Sequence, residues 1–342
     1  MRRARLIRVM CAAGLSLALV ACGGSDKAAG PASGGATPVT IKDCAGNNVT
    51  FAAVPQRVVV LDGYAAQSMV RLGLGNRIVG VGFTKPFSVE QGPIRSELSR
   101  LPVLTADSVP PTELVAAKRP DLVLTAFSAF GGAPGSPKDA DLATMNALGL
   151  AACMPRAASP TEAAEPLTTL APTYDYLLNI GKVFRVEDRA EQLVADLKER
   201  EQAVVATAGT GTKPRVLILP DNPVAGQPVP TSGPATIANA LVIGAGGENV
   251  FADASGMHSQ VSPEKVAERD PQVILVVTDY SFAKAKGEAL VDQVRANPLL
   301  ANTTAVRTRR VLSTSQYVAA FPSPLNVDAL KQIAAAMHVG GS

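Results

Sequence analysis

Tryptophan is absent, and only two histidines occur in 342 residues. A metal site built from three histidine ligands is therefore excluded. Aromatic residues make up 4% of the chain and charged residues 18%, against 47% hydrophobic. So little charge and so many apolar runs are incompatible with an intrinsically disordered chain. The 29 glycines and 26 prolines follow no fixed period, which removes collagen-like and simple low-complexity classes. There is no Gly-x-Ser-x-Gly elbow, no Gly-x4-Gly-Lys-Ser/Thr loop and no His-Glu-x-x-His pair. The carboxylates are scattered and nominate no acid/base couple. Gly244-Ala-Gly-Gly247 follows an expected helix rather than a strand, so it reads as a helix end and not as a phosphate cradle. No enzymatic constellation emerges, and no cofactor is implied.

What is present begins with an address. Arg2, Arg3, Arg5 and Arg8 precede the apolar run Met10–Val20, which is too short to span a bilayer as a mature helix. The run ends in Leu19-Val20-Ala21-Cys22, a bacterial lipobox. Cleavage before Cys22 and lipidation of its thiol are expected, giving a signal peptide over 1–21. Residues 22–38, rich in Gly, Ala, Ser and Pro, read as a flexible tether. The folded part is then extracytoplasmic, held to the cell membrane by lipid. Taking the four leader arginines from the 32 basic residues leaves 28 against 29 acidic ones. A mature chain near neutrality has no electrostatic footprint for nucleic acid.

Cys11 leaves with the leader and Cys22 takes the lipid. Cys44 and Cys153 remain in an oxidising compartment, where a disulfide between them is expected. Two buried free thiols are the alternative.

Along the folded part, a hairpin is expected over Val39–Ile41 and Asn48–Phe51. Apolar strands follow at Arg57–Asp62, Ile78–Val81, Leu122–Thr125 and Leu150–Met154, separated by helices that include one opened by Pro111 and one over Asp139–Leu148. Thr173–Phe184 and Glu187–Ala206 read as helices, with Asp188 and Glu191 as a capping box for the second. A further βα series starts at Val216–Leu219 and ends in a helix over Val327–Met337. Strands that are apolar on both faces and alternate with helices imply a mostly parallel sheet covered by helices.

An internal echo organises this series. Glu113-Leu-Val-Ala-Ala-Lys-Arg-Pro-Asp-Leu-Val-Leu124 returns 151 positions later as Glu264-Lys-Val-Ala-Glu-Arg-Asp-Pro-Gln-Val-Ile-Leu275. Each copy reads as a short helix, a proline-marked stop and a buried strand. The expected architecture is α/β: two similar lobes, 39–186 and 209–342, joined by one long rigid helix over 187–208. A cleft between lobes is a natural small-molecule site.

The lipobox, the tether and Arg57-Val-Val-Val-Leu-Asp62 together resemble the solute-binding lipoproteins of iron-siderophore, haem and vitamin B12 ABC importers. So do Leu72-Gly-Leu-Gly-Asn-Arg-Ile-Val-Gly80, the Glu113 segment and Gly246-Gly-Glu-Asn-Val-Phe251. The resemblance covers about residues 39–338. It implies a monomeric receptor that hands a small-molecule ligand to a permease driven by its ATPase. It also implies one docking carboxylate per lobe, falling on Glu113 and Glu264; both stand at helix starts, so simple capping is the alternative. Cleft residues in this fold come from loops after strand C-termini. Those loops carry Tyr64, Lys85, Phe87, Phe127 and Ser128 in the first lobe, and Asn222, Met257, His258, Tyr280, Tyr317 and Phe321 in the second. Aromatic rings suit a large planar or amphipathic ligand, and Lys85 suits an anionic group. A ferric siderophore is the first expectation for the ligand. Cobalamin or a corrinoid, haem, another cofactor precursor, or a lipid-anchored sensor or enzyme on the same scaffold are the alternatives.

Overall fold

The computed structural model describes residues 37–155, 165–208, 212–255 and 257–338. The leader, the lipobox cysteine Cys22 and most of the tether lie outside the described residues. The described chain opens with a hairpin, β1 (Val39–Lys42) against β2 (Asn48–Phe51). The first lobe then runs β3 (Val58–Val60), α1 (Gly63–Arg71), β4 (Ile78–Val81), α2 (Gly92–Leu98), α3 (Thr112–Ala116), β5 (Leu122–Thr125), α4 (Asp139–Thr144) and β6 (Leu148–Ala151). Two helices follow, α5 (Ala171–Phe184) and α6 (Glu187–Thr207).

The second lobe continues with β7 (Arg215–Leu219), β8 (Val229–Ser232), α7 (Ile237–Gly244), β9 (Glu248–Asn249), β10 (His258–Val261), α8 (Pro263–Arg269) and β11 (Val273–Thr278). It closes with α9 (Gly287–Arg295), α10 (Thr304–Arg307), β12 (Val311–Ser315), α11 (Gln316–Ala319) and α12 (Asn326–His338).

The sheets explain the echo. The first is four-stranded in the order β4-β3-β5-β6, and the second is β9-β7-β11-β12 read in the same sense. Counted within each lobe, both orders are second, first, third, fourth, and every pairing is parallel. The repeated segments therefore supply the same helix and the same third strand to each lobe. Hydrogen bonds repeat as well. The Arg57 guanidinium donates to the Lys118 and Arg119 carbonyls at the end of α3, at 2.5 and 3.1 Å. Arg215 donates to the Arg269 and Asp270 carbonyls at the end of α8, at 3.1 and 2.8 Å. Arg119 and Asp270 are both left-handed, with φ of 47° and 35°. Asp121 accepts from the Arg57 backbone N–H and Gln272 from that of Arg215. Each arginine thus satisfies carbonyls that a helix end leaves unpaired.

Strand residues alternate between faces, as a period of two requires. Val58, Val60, Leu122 and Leu124 from the first sheet, and Val216, Ile218, Val273 and Leu275 from the second, belong to one apolar cluster that also holds residues of α5, α6, α7 and α12. The alternate residues face outward into smaller cores: Val59 and Val123 in one, Leu217, Leu219, Ile274 and Val276 in the other. Helix α6 has 21 residues, a rod of about 30 Å. It buries Ala190, Val194 and Leu197. At its start, Gly181 of α5 permits close approach: a Cβ there would lie 2.4 Å from that of Ala190. Tyr174 of α5 donates to Glu201 at 2.6 Å, and Arg200 pairs with Asp328 of α12. The helix cap is Val186, without a side-chain hydrogen bond, so the expected Asp188/Glu191 box does not form.

Two further departures have local causes. Helix α4 stops at Thr144 because Asn146 adopts φ of 53°, and the strand expected at Leu150–Met154 starts earlier, at Leu148. His258, expected in a loop, begins β10, which pairs with β8 in a two-stranded antiparallel ribbon. That ribbon is polar and carries Pro230, so it gives no alternating apolar signal.

The sulfurs of Cys44 and Cys153 stand 2.15 Å apart, and the two positions are 109 apart in sequence. This joins the hairpin turn to the chain leaving β6. A loop of that length corresponds to about 4–5 kcal/mol in the chain-entropy picture. Under denaturing, non-reducing conditions neither thiol should alkylate, and reduction should lower the melting temperature. Peptide mapping that finds both cysteines alkylated without reduction would falsify the link. Gly181→Val should cost about 1–3 kcal/mol through overpacking against Ala190; a denaturant midpoint equal to wild type would show that α5 and α6 can separate freely.

Candidate functional site

The carboxyl ends of both sheets point to one seam. Beyond β3, Asp62 caps α1: its carboxylate accepts from the Ala65 N–H at 2.9 Å. It also accepts from the Thr125 hydroxyl at 2.7 Å and the Ala126 N–H at 3.0 Å, which ties the exits of β3 and β5 together. Asp62 is fully buried, and burial raises its pKa while these hydrogen bonds oppose the rise. The cap fixes Tyr64 in the first turn of α1.

Around Tyr64, rings from the two lobes meet. Phe321 lies 5.3 Å from Tyr64 and 4.6 Å from Phe127, centroid to centroid. Phe83 lies 6.4 Å from Tyr64 and 6.3 Å from Tyr317. These are tilted and edge-on geometries, which suit the ring quadrupole. The Tyr64 hydroxyl donates to the Gln316 carbonyl at 3.3 Å, and the Ser323 hydroxyl donates to Gln67 at 3.2 Å, so polar contacts also cross the seam. Phe83, Phe127, Tyr317 and Phe321 are half-buried and keep accessible faces. Tyr64 has none: it is fully buried, and burial, with neighbouring phenols and carboxylates, pushes its pKa well up. Phe87 is buried as well, on the short turn Lys85–Val89. Neither therefore presents a surface.

A second aromatic group stands in the C-terminal lobe. Tyr280 and Phe282 stack at 5.0 Å and 18°, and His258 approaches Tyr280 edge-on at 5.8 Å. Phe282 is 57% exposed, an unusual position for a phenylalanine. His258 is exposed, yet the Tyr280 and Phe282 rings stand beside it, and desolvation lowers its pKa from the ordinary imidazole value. Met257 and Ser128 are half-buried. Asn222 is engaged: its side-chain carbonyl accepts from Asn297 at 2.7 Å. Lys85 is engaged too, bound to Asp107 at 2.7 Å, and this partner raises its pKa. A free cation for an anionic ligand is thus not what Lys85 supplies.

Open grooves of about 690 and 510 Å³ lie beside β6 and the disulfide, where Ser128 is part of the lining, and between α6 and α12. Among the described residues no three His, Cys, Asp or Glu side chains group as a metal site, and no helix is long and apolar enough to cross a membrane.

Glu113 and Glu264 occupy the same place in each lobe, the second residue of α3 and of α8. Both are exposed and, among the described residues, neither is ion-paired. The Glu264 backbone N–H and then the Ser262 hydroxyl hold the Glu264 carboxyl below its usual value. Sequence alone does not single out Phe282 and Asp279. Asp62 and Asp279 share a signal that could have found them: an acid placed directly after an apolar strand.

Residues 58–318 match the periplasmic binding protein family. A cobalamin-binding protein of Halobacterium salinarum is 27% identical over 308 residues, covering 88% of this chain and 74% of the relative. An uncharacterized ABC transporter substrate-binding lipoprotein, YvrC, of Bacillus subtilis is 25% identical over 256 residues, covering 72% of this chain and 71% of its own length. Among solved structures, an ABC-type Fe3+-hydroxamate transport system from Saccharomonospora viridis superposes with a TM-score of 0.72 at 26% identity, covering 88% of this chain and 99% of that one. With the same α/β lobes and a seam at their strand ends, this chain belongs to the periplasmic binding protein family, the solute-binding, non-enzymatic components of ABC transporters.

Proposed function

We propose that this protein is a lipid-anchored receptor that captures a large amphipathic metal chelate at the inter-lobe seam and delivers it to its permease. The first reading is a ferric siderophore of the hydroxamate kind. The observation that carries the proposal is the convergence of half-buried rings, Phe83 and Phe127 from one lobe and Tyr317 and Phe321 from the other. Such rings give a chelate's apolar shell a large contact area at small entropic cost. The likeness to a structure described as an Fe3+-hydroxamate system supports this reading. A corrinoid is the second reading, and the 27% identity to a cobalamin-binding protein supports it. Glu113 and Glu264 are the docking carboxylates in this proposal, each held at a lobe surface by a helix that Arg57 or Arg215 brackets.

Thermal denaturation with ferric hydroxamates, cyanocobalamin, cobinamide and haemin tests the ligand class. A ligand at 100 times its Kd stabilises by about 2.7 kcal/mol. A shift with a ferric hydroxamate supports the first reading and a shift with a corrinoid the second; haemin alone, or none of the panel, overturns both. Replacing Glu113 and Glu264 together with Ala should leave ligand Kd within about twofold and reduce uptake, since exposed charges steer encounter and orientation. Normal uptake by the double variant would remove them from the docking surface. Cys22→Ala should leave the protein unprocessed or shed from the membrane, and a membrane-bound variant of mature length would speak against the lipid anchor.

A further inference from the structure

At the exit of β11 the chain makes an unusual turn. Asp279 has φ of 72°, a left-handed conformation that Asp and Asn tolerate better than other non-glycine residues. The seam holds it there. Gln316 donates its side-chain amide to the Asp279 carbonyl at 2.6 Å, and the Gln316 carbonyl in turn accepts from Tyr64. One carboxylate oxygen, Oδ2, accepts from the Ser315 hydroxyl at 2.6 Å and from the Thr278 hydroxyl at 2.8 Å. The other oxygen accepts no hydrogen bond among the described residues. A half-buried carboxylate fixed through one oxygen, with the second left over, is a preorganised acceptor.

Asp279 also takes part in no ion pair among the described residues. Burial comes first in raising the Tyr317 phenol, and the charged groups that act on that ring are Asp279, Lys85 and Asp107. Lys85 and Asp107 neutralise each other at 2.7 Å. Asp279 makes no ion pair among the described residues and so adds negative charge beside that ring. A ligand bearing carboxylate or catecholate charge would meet repulsion here, and one bearing N–H donors would find a partner.

We propose that Asp279 is a specificity-determining residue of the seam, offering a fixed anionic acceptor to amide or ammonium groups of the chelate and turning anionic chelates away. This rests on the reading of the seam as the ligand site.

Titration calorimetry with four probes tests it: ferrioxamine B, which carries an ammonium group; ferrioxamine E, which is neutral; cyanocobalamin, with its rim of amides; and trianionic ferric enterobactin. Wild type should bind ferrioxamine B or cyanocobalamin at least tenfold more tightly than ferric enterobactin. Asp279→Asn suits a left-handed backbone, so its melting temperature should stay close to wild type. It should weaken the preferred donor-bearing probe about tenfold and narrow the gap to the anionic one. Ser315→Ala, which frees one of the two hydroxyls on Oδ2, should move affinities the same way by a smaller factor and keeps the test valid if the first variant folds poorly. Wild-type binding of ferric enterobactin as tight as that of the donor-bearing probes overturns the proposal. So do Asp279→Asn affinities within twofold of wild type for every probe. Phe321→Ala separates the two readings. If it weakens binding while Asp279→Asn does not, only the role of Asp279 falls. If no probe binds wild type, or Phe321→Ala changes nothing, the seam is not the ligand site and both readings fall.

Discussion

The structure depends on an apolar face that the two lobes share. Val58, Val60, Leu122 and Leu124 of one sheet and Val216, Ile218, Val273 and Leu275 of the other enter a single cluster, completed by α5, α6, α7 and α12. Fully burying each such side chain is worth about 1.5–3 kcal/mol. A wide hinge motion would have to expose part of that surface. The long helix adds to the constraint, because Gly181 brings α5 against Ala190 with no room for a methyl group. Large rearrangement of the lobes is opposed by the core itself, which favours small displacements of preformed loops.

Duplication gives that scaffold two equivalent outer surfaces. The lobes have diverged in side chains, yet the bracket at the base of each sheet persists: Arg57 on the end of α3 and Arg215 on the end of α8. Asp121 and Gln272 do the same job with different chemistry, each accepting a backbone N–H where the first strand begins. What is preserved is a pattern of satisfied backbone groups. Its consequence is that two short helices, which could not persist alone, are pinned at matching places with Glu113 and Glu264 in their first turns.

At the opposite end of the strands the two lobes are different. The first lobe contributes a buried carboxylate, Asp62, whose acceptors are all consumed internally by a helix cap and a neighbouring strand exit. The second contributes Asp279, only partly consumed. The same residue type after the same kind of strand is structural in one lobe and left open in the other. Aromatic rings fill the space between, and their tilted contacts leave faces on both sides of the seam.

The fold class, the two-lobe plan and the long helix were legible in the sequence, because they rest on local periodicity and a repeat. Buried strands such as Leu122–Thr125 and Ile78–Val81 announce themselves as apolar runs, and a 21-residue helix by its stripe. The β8/β10 ribbon was invisible because its pairing is non-local and its residues polar. Where the strand ends fall is also legible, which is why the loops carrying Phe127, Tyr317 and Phe321 could be read from sequence as neighbours at those ends. Whether each such residue is open or spent was decided only by tertiary structure. Lys85 is paired with Asp107, Asn222 is held by Asn297, and Tyr64 and Phe87 are buried. Exposure and partnership depend on side chains that lie far apart in sequence, such as Tyr64 and Gln316, and no local pattern encodes which of them will meet.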